Sequence, residues 1–260
     1  MTTAEEYHHL ELTVEERVVR VALRRPDVLN ALSVELLDEL AAACRWVAEQ
    51  PGLRVLVLTG EGRAFSAGAD LATFERLLRD DSSARAAADA GARAADALES
   101  LDLVTVAAIH GRCVGGGVVL ALACDLRLAA AGTRFSIPEV DLGIPLAWGG
   151  VPRLLREVGP GVARDLVLSC REFGAKEALA LGLVSRVVRA DRFEAEVDEL
   201  AEALADKAPL PVRATLDAVA AAAGIGPPHG WSDADALLTA VRDPECRHAA
   251  ARYLERVRSR

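Results

Sequence analysis

Aromatic residues are scarce in this sequence, 4% of 260, and there is a single methionine, so aliphatic side chains and alanine must fill its core. Apolar residues make up 52%. That is enough for a sizeable core in one large domain or two small ones. Cysteine is present without any pairing pattern. Cys44, Cys113, Cys124, Cys170 and Cys246 are odd in number and show no Cys-x-x-Cys or mixed Cys/His spacing, which argues against a disulfide framework and a structural zinc site. His8-His9 reads as a solvated terminal pair, and no metal is expected. No apolar run reaches the roughly 18 residues of a membrane span; His110, Arg112 and the glycines interrupt the best one. The N-terminus lacks the basic start and apolar stretch of a signal peptide. Positive charge is in deficit, with a net −9 and a pI near 5.2. This argues against a protein that tracks nucleic-acid phosphates, though a local basic patch can still hold an anionic small molecule. A soluble protein of the reducing cytoplasm is expected.

What is present is organised around residues 110–126, HGRCVGGGVVLALACDL. An apolar run, 103–109, enters this stretch, Gly115-Gly116-Gly117 breaks it, and a second apolar run, 118–124, leaves it. The pattern reads as strand, tight turn and buried helix. Backbone N–H groups in a helix's first turn lack partners within the helix, and glycine lets another molecule approach them. Such a turn suits a developing oxyanion. It equally suits simple close packing of a helix, and neither a phosphate-loop nor a dinucleotide spacing is present.

Upstream, alternating Leu10, Leu12, Val14 and Val19, Val21, Leu23 predict a half-buried hairpin. Ser33 offers an N-cap to a helix whose apolar face carries Leu36, Leu37, Leu40, Cys44 and Val47. Residues 55–58 predict a buried strand. Helices are expected through Phe74, Leu77 and Leu78 and over 84–99, then a strand at 126–130. Irregular chain runs from Pro138 to Gly150. Helices are expected at 151–157, 163–168, 175–181 and 193–207, with one strand at 184–188 and two further helices at the end. Strands alternating with helices predict an α/β core.

Three places can carry chemistry. Phe65-Ser66-Ala67-Gly68-Ala69-Asp70 follows a predicted strand, and its small residues let a ligand lie along the backbone. Ala69 N–H is a candidate second donor beside Gly116 N–H, and two convergent backbone donors make an oxyanion hole; the same segment also reads as a tight turn with Asp70 capping a helix. Ser66 departs from a nucleophile elbow at its first glycine, and only chain order links it to Asp141 with His229 or His248. Glu139 follows a proline on a loop bounded by apolar residues. On the surface it is unremarkable, whereas burial beside an apolar substrate makes it a usable acid/base.

In order along the chain stand Arg25-Pro26 with Asn30-Ala31-Leu32, the 55–60 segment VLVLTG, and 65–71 FSAGADL. His110-Gly111 to Gly117, Cys124-Asp125, Phe135-Ser136-Ile137-Pro138-Glu139, Gly143, Gly149-Gly150 with Arg153-Leu154, and 178–184 ALALGLV follow. As an ordered set these motifs resemble the crotonase superfamily, the enoyl-CoA hydratase/isomerase family, over about residues 10–255. The resemblance implies an α/β fold of ββα units in a spiral with a helical C-terminal region. It divides the chain into a core at 1–190 and a region used in oligomerisation at 191–260. It implies homotrimers or dimers of trimers acting on an acyl-CoA thioester, with no cofactor beyond the coenzyme A of the substrate. The thioester oxygen would sit between Ala69 N–H and Gly116 N–H. Ala67, Asp70 and Leu71 would lie along the coenzyme A, with Arg25 near its phosphates.

One departure bears on the reaction. The family's hydratases use two glutamates; Glu139 fills the second position, and Val119 stands at the first. Valine neither orients water nor transfers a proton, whereas moving a double bond needs one group that removes a proton and returns it elsewhere. The pattern resembles the family's enoyl-CoA isomerases. A hydratase, and a non-catalytic acyl-CoA-binding protein, are the alternatives.

Overall fold

The computed structural model describes residues 7–70, 73–75, 78–223, 238–239 and 241–259. Strand β1 (Leu10–Glu15) turns at Glu16, which takes a positive φ of 53°, into β2 (Val18–Leu23), giving the expected antiparallel hairpin. Strand β2 then lies parallel to β3 (Val55–Gly60), β3 to β4 (Val104–Ile109), β4 to β6 (Leu126–Ala130) and β6 to β9 (Arg186–Val188). The six-stranded sheet has the order β1-β2-β3-β4-β6-β9. Its central strands read as unbroken apolar runs because both faces are covered. Leu56, Leu58, Ala107 and Ile109 face helices α1 (Val34–Ala48), α2 (Asp81–Glu99) and α3 (Gly116–Leu122). Val55, Val57, Val104 and Val106 face the opposite way.

Both long N-terminal helices start on side-chain caps. Ser33 Oγ accepts from Leu36 N–H at 3.3 Å, as its position predicts. Asp80 accepts from the N–H groups of Ser82 and Ser83 at 2.9 and 3.1 Å, so α2 starts at Asp81, three residues before the expected 84. Helix α4 (Gly150–Ser169) contains both expected helices, 151–157 and 163–168, joined across a non-helical Gly159. Helix α5 (Ala175–Ala180) precedes β9.

The sequence pattern missed a second sheet. Strands β5 (Arg112–Val114), β7 (Arg134–Ser136) and β8 (Phe173–Gly174) form it, with β5 and β7 parallel and β7 and β8 antiparallel. Two or three residues are too few for a period of two to show, and pairing here comes from tertiary register and from the stacked rings of Phe135 and Phe173, 5.5 Å apart. Bridges Ser66–Cys113 and Leu32–Ala69 attach residues 64–70 to this sheet and to the chain before α1.

Residues 191–260 are the region that the resemblance assigns to oligomerisation. Within it, α6 (Phe193–Ala205) lays Phe193, Val197, Leu200 and Ala201 over the second face of the sheet, with Leu204 packed beside them. Leu238 is buried with Phe74, Ala84 and Leu142, while Leu237 lies outside the described residues. Helices α7 (Pro209–Ala222) and α8 (Pro244–Arg258) complete the described fold. No helix among the described residues is long and apolar enough to cross a membrane.

Asn30 fastens two loops together. It is fully buried in the left-handed region (φ 54°), donates to the carbonyls of Glu61 and Ala64, and accepts from Arg25 N–H. Asn30→Ala leaves these three groups without their partner, and each buried unsatisfied group costs ~1–3 kcal/mol. A loss of at least ~2 kcal/mol in urea unfolding is expected, against little change for the exposed Val28→Ala.

Candidate active site

Residues 66–70 are held from both sides. Ser66 N–H bonds Arg112 O and Val114 N–H bonds Ser66 O, while Leu32 N–H bonds Gly68 O and Asp70 N–H bonds Leu32 O. This pattern leaves Ala69 N–H out. Among the described residues it makes no hydrogen bond, and Ala69 is exposed on the rim of a cavity. Gly116, the first residue of α3, lines the same cavity, and its N–H likewise has no partner. Helix α3 has only seven residues, so its dipole is a small part of any attraction to negative charge; the unpaired N–H groups themselves are the asset.

Each glycine of the 115–117 turn admits a different neighbour. Gly115 takes φ 51°, ψ −115°, and a Cβ there would run into Glu139 Oε1. A Cβ on Gly116 would enter the six-membered ring of Trp148. A Cβ on Gly117 would lie 2.9 Å from Ser66 Cβ. The triple glycine is a site of close packing on all three sides, and one of the packed groups is a carboxylate.

Glu139 is 8% exposed. Its Oε2 is buried with no hydrogen-bond partner, and no cation pairs with it among the described residues. Loss of hydration pushes its pKa from 4.5 up to about 7, offset slightly by its own backbone N–H. The cavity around it has walls of Leu32, Val34, Leu37, Phe74, Ile144 and Leu146, with Thr73, Ala87, Pro145 and Ala147 completing them. Val119 is fully buried and lines the cavity one turn into α3; its Cγ2 lies 2.7 Å from where a Cβ on Gly150 would stand. Among the described lining residues Glu139 is the single titratable side chain.

The structure thus brings Ala69, Gly116, Val119 and Glu139 to one cavity. It sets Ala67, Asp70 and Arg25 beside it rather than in its lining, and Leu71 lies outside the described residues. Arg25 Nη1 donates to Asp70 Oδ2 at 2.8 Å and to the Ala31 carbonyl at 2.6 Å. Its guanidinium is engaged in holding the 66–70 segment in place. Ser66 Oγ is buried, donates to Asn30 O at 2.8 Å and accepts from Gly68 N–H at 3.2 Å. Those bonds serve the backbone, and no histidine contacts the hydroxyl among the described residues, so Ser66 is no nucleophile. His229 lies outside those residues.

Two features were missed. Trp148 walls the cavity, and Arg153, 4% exposed, holds it there: Nη1 donates to Trp148 O at 2.6 Å while Nη2 donates to Asp96 and Glu99 at 2.7 and 2.6 Å. A tryptophan beside Gly149-Gly150 in a sequence so poor in aromatics was the available signal. No group of three or more His, Cys, Asp or Glu that could hold a metal occurs among the described residues.

Residues 13–259 match the family described as enoyl-CoA hydratase/isomerase. The chain belongs to that family. It is 36% identical over 208 residues to a crotonyl-CoA hydratase of Syntrophomonas wolfei, covering 80% of this chain and 79% of that one. It is 35% identical over 227 residues to a peroxisomal Delta(3,5)-Delta(2,4)-dienoyl-CoA isomerase of Arabidopsis thaliana, covering 82% of each. An enoyl-CoA hydratase structure from Mycobacterium avium subsp. paratuberculosis superposes with a TM-score of 0.84 at 28% identity, covering 95% of this chain and 100% of that one. The fold is that of the crotonases, and the family contains both hydratases and isomerases.

The burial of Glu139 has a measurable cost. Below about 4.5 the carboxyl is protonated in folded and unfolded chains alike, and it contributes no penalty. As pH rises towards about 7 the unfolded chain ionises first, so folded stability is lost progressively and the full loss stands above about 7. The gap corresponds to ~3 kcal/mol. Glu139→Gln is expected to be more stable than wild type at pH 8, by up to that amount, and to show no such gain at pH 4 in paired denaturation curves.

Proposed function

We propose that this chain polarises the carbonyl of an enoyl-CoA thioester between Ala69 N–H and Gly116 N–H and moves its double bond, with Glu139 as the single acid/base. The observation carrying this reading is the solitary carboxylate, buried with Oε2 unpartnered and its pKa raised by burial to about 7, in a cavity otherwise lined by apolar groups and backbone. In a 3-enoyl-CoA, the Glu139 carboxylate takes a proton from the α-carbon. The C–H electron pair moves into the thioester, making a dienolate whose negative oxygen faces the two N–H groups. The protonated Glu139 then delivers that proton to the γ-carbon, and the double bond ends between the α- and β-carbons. Atoms and charge balance with no cofactor beyond the coenzyme A carried by the substrate. A pKa near the working pH favours both halves of this exchange.

Water addition is the second reading, favoured by the crotonyl-CoA hydratase among the relatives. It needs water held and activated beside the β-carbon while a proton reaches the α-carbon. Val119 is the obstacle, since it presents methyl groups where the family's hydratases carry a carboxylate. Ala67, Asp70 and Leu71 would border the coenzyme A, with Arg25 fixing that border through Asp70.

The rates of hydration of 2-enoyl-CoA and isomerisation of 3-enoyl-CoA decide between the readings. Wild type is expected to isomerise and to hydrate poorly. Glu139→Gln should lower isomerisation by a factor of about 10² or more while acyl-CoA still binds. Val119→Glu should raise hydration, at some loss of stability from the added buried charge. Efficient hydration by wild type that survives Glu139→Gln would end the single-carboxylate mechanism.

The assembly proposed is a homotrimer or dimer of trimers. Supporting it, α4 leaves Val151, Leu155 and Leu168 exposed at 45%, 42% and 67%, apolar area that contact between copies would cover. Light scattering at micromolar concentration should return a multiple of three chains; a monomer would refute it.

A further inference from the structure

Trp148 stands in a slot cut for it. Helix α2 is alanine-rich, and its one glycine, Gly91, lies mid-helix, where alanine would favour the helix by about 1 kcal/mol. A Cβ on Gly91 would fall inside the five-membered ring of Trp148, and a Cβ on Gly116 would fall inside its six-membered ring. The indole is therefore wedged between the middle of α2 and the start of α3, with both neighbours reduced to bare backbone. Its main chain is fixed independently. Trp148 adopts a left-handed φ of 59°, uncommon for a bulky residue, and its carbonyl accepts from buried Arg153, which Asp96 and Glu99 hold in turn. Three devices thus serve the placement of one ring, and that ring walls the cavity beside Glu139.

The space left in front of it is small. The cavity offers about 60 Å³, room for a few waters. With a thioester carbonyl at Ala69 and Gly116, the first carbons of the acyl chain come against Glu139, and the indole fills the space between α3 and α2 beside them. From this geometry we infer that Trp148 sets the acyl length this site accepts, limiting it to short-chain acyl-CoA thioesters. The inference rests on the reading of the cavity as an acyl-CoA site, but not on which reaction follows.

Saturated acyl-CoAs test it without chemistry. On an unrestricted apolar surface each added methylene strengthens binding roughly fourfold, so decanoyl-CoA would bind far more tightly than butanoyl-CoA. Calorimetric titration of wild type is expected to show butanoyl-CoA bound at least as tightly as decanoyl-CoA. Trp148→Ala empties the slot while Arg153 still clamps the main chain, and it should shift the ratio tenfold or more towards decanoyl-CoA. Trp148→Phe, which keeps an aromatic wall and guards against a folding defect, should give an intermediate ratio. Turnover of enoyl-CoAs of matched length should follow the same order. Tighter binding of decanoyl-CoA by wild type, or a ratio unchanged in both folded variants, would overturn the inference. Retained length discrimination without turnover of either 2-enoyl- or 3-enoyl-CoA would sink the proposed reaction and leave the role of Trp148 standing.

Discussion

Everything in the cavity depends on how closely other groups can come to the backbone at residues 115–117. A Cβ at any of these positions would strike, in turn, Glu139, Trp148 or Ser66. The acid/base candidate, the cavity wall and the segment bearing Ala69 each reach the same turn of chain from a different direction. The second sheet makes this approach rigid: Gly115 N–H bonds Ser136 O, at the end of β7, three residues before Glu139. Strand pairing thereby fixes the distance between the turn and the carboxylate. A site assembled from paired strands rather than free loops loses little entropy when a ligand settles into it.

Much of this was legible in the sequence. Period-two alternation in 10–23, the capped face of α1 and the apolar run of β3 all follow from patterns several residues long. The glycine turn and Glu139 stood out because each breaks the chemistry around it. What was not legible depends on tertiary register. Strands β5, β7 and β8 carry too few residues to show a pattern, and periodicity cannot say that the apolar face of α6 covers the sheet. The resemblance puts Arg25 near phosphates, but its partners Asp70 and Ala31 O could not be read from the sequence because they are neighbours only after folding.

Charge is sorted with respect to the cavity. Arg153 with Asp96 and Glu99, Arg127 with Glu157, and Arg25 with Asp70 are ion pairs outside its lining. Arg127 also donates to the carbonyls of Leu183 and Cys124, so its buried guanidinium is broadly satisfied. Pairs with a buried arginine rarely add much stability compared with apolar packing, but removing the carboxylate from a buried guanidinium is costly, so they hold a geometry well. Arg153 ties the Trp148 carbonyl to the C-terminal turn of α2, and Arg25 ties Asp70 to the chain before α1.

The same sorting sets the proton affinity of Glu139. Had Arg25 or Arg153 faced inward, a guanidinium within a few ångströms would have stabilised the carboxylate and depressed its pKa, leaving a weak base. With both cations engaged elsewhere, burial is the dominant influence and raises the pKa to about 7. The arrangement that anchors Trp148 and residues 66–70 is thus also what leaves the carboxyl without a counter-ion. A cation brought up to the carboxyl would lower its proton affinity, so an uncharged lining is what keeps Glu139 a usable base.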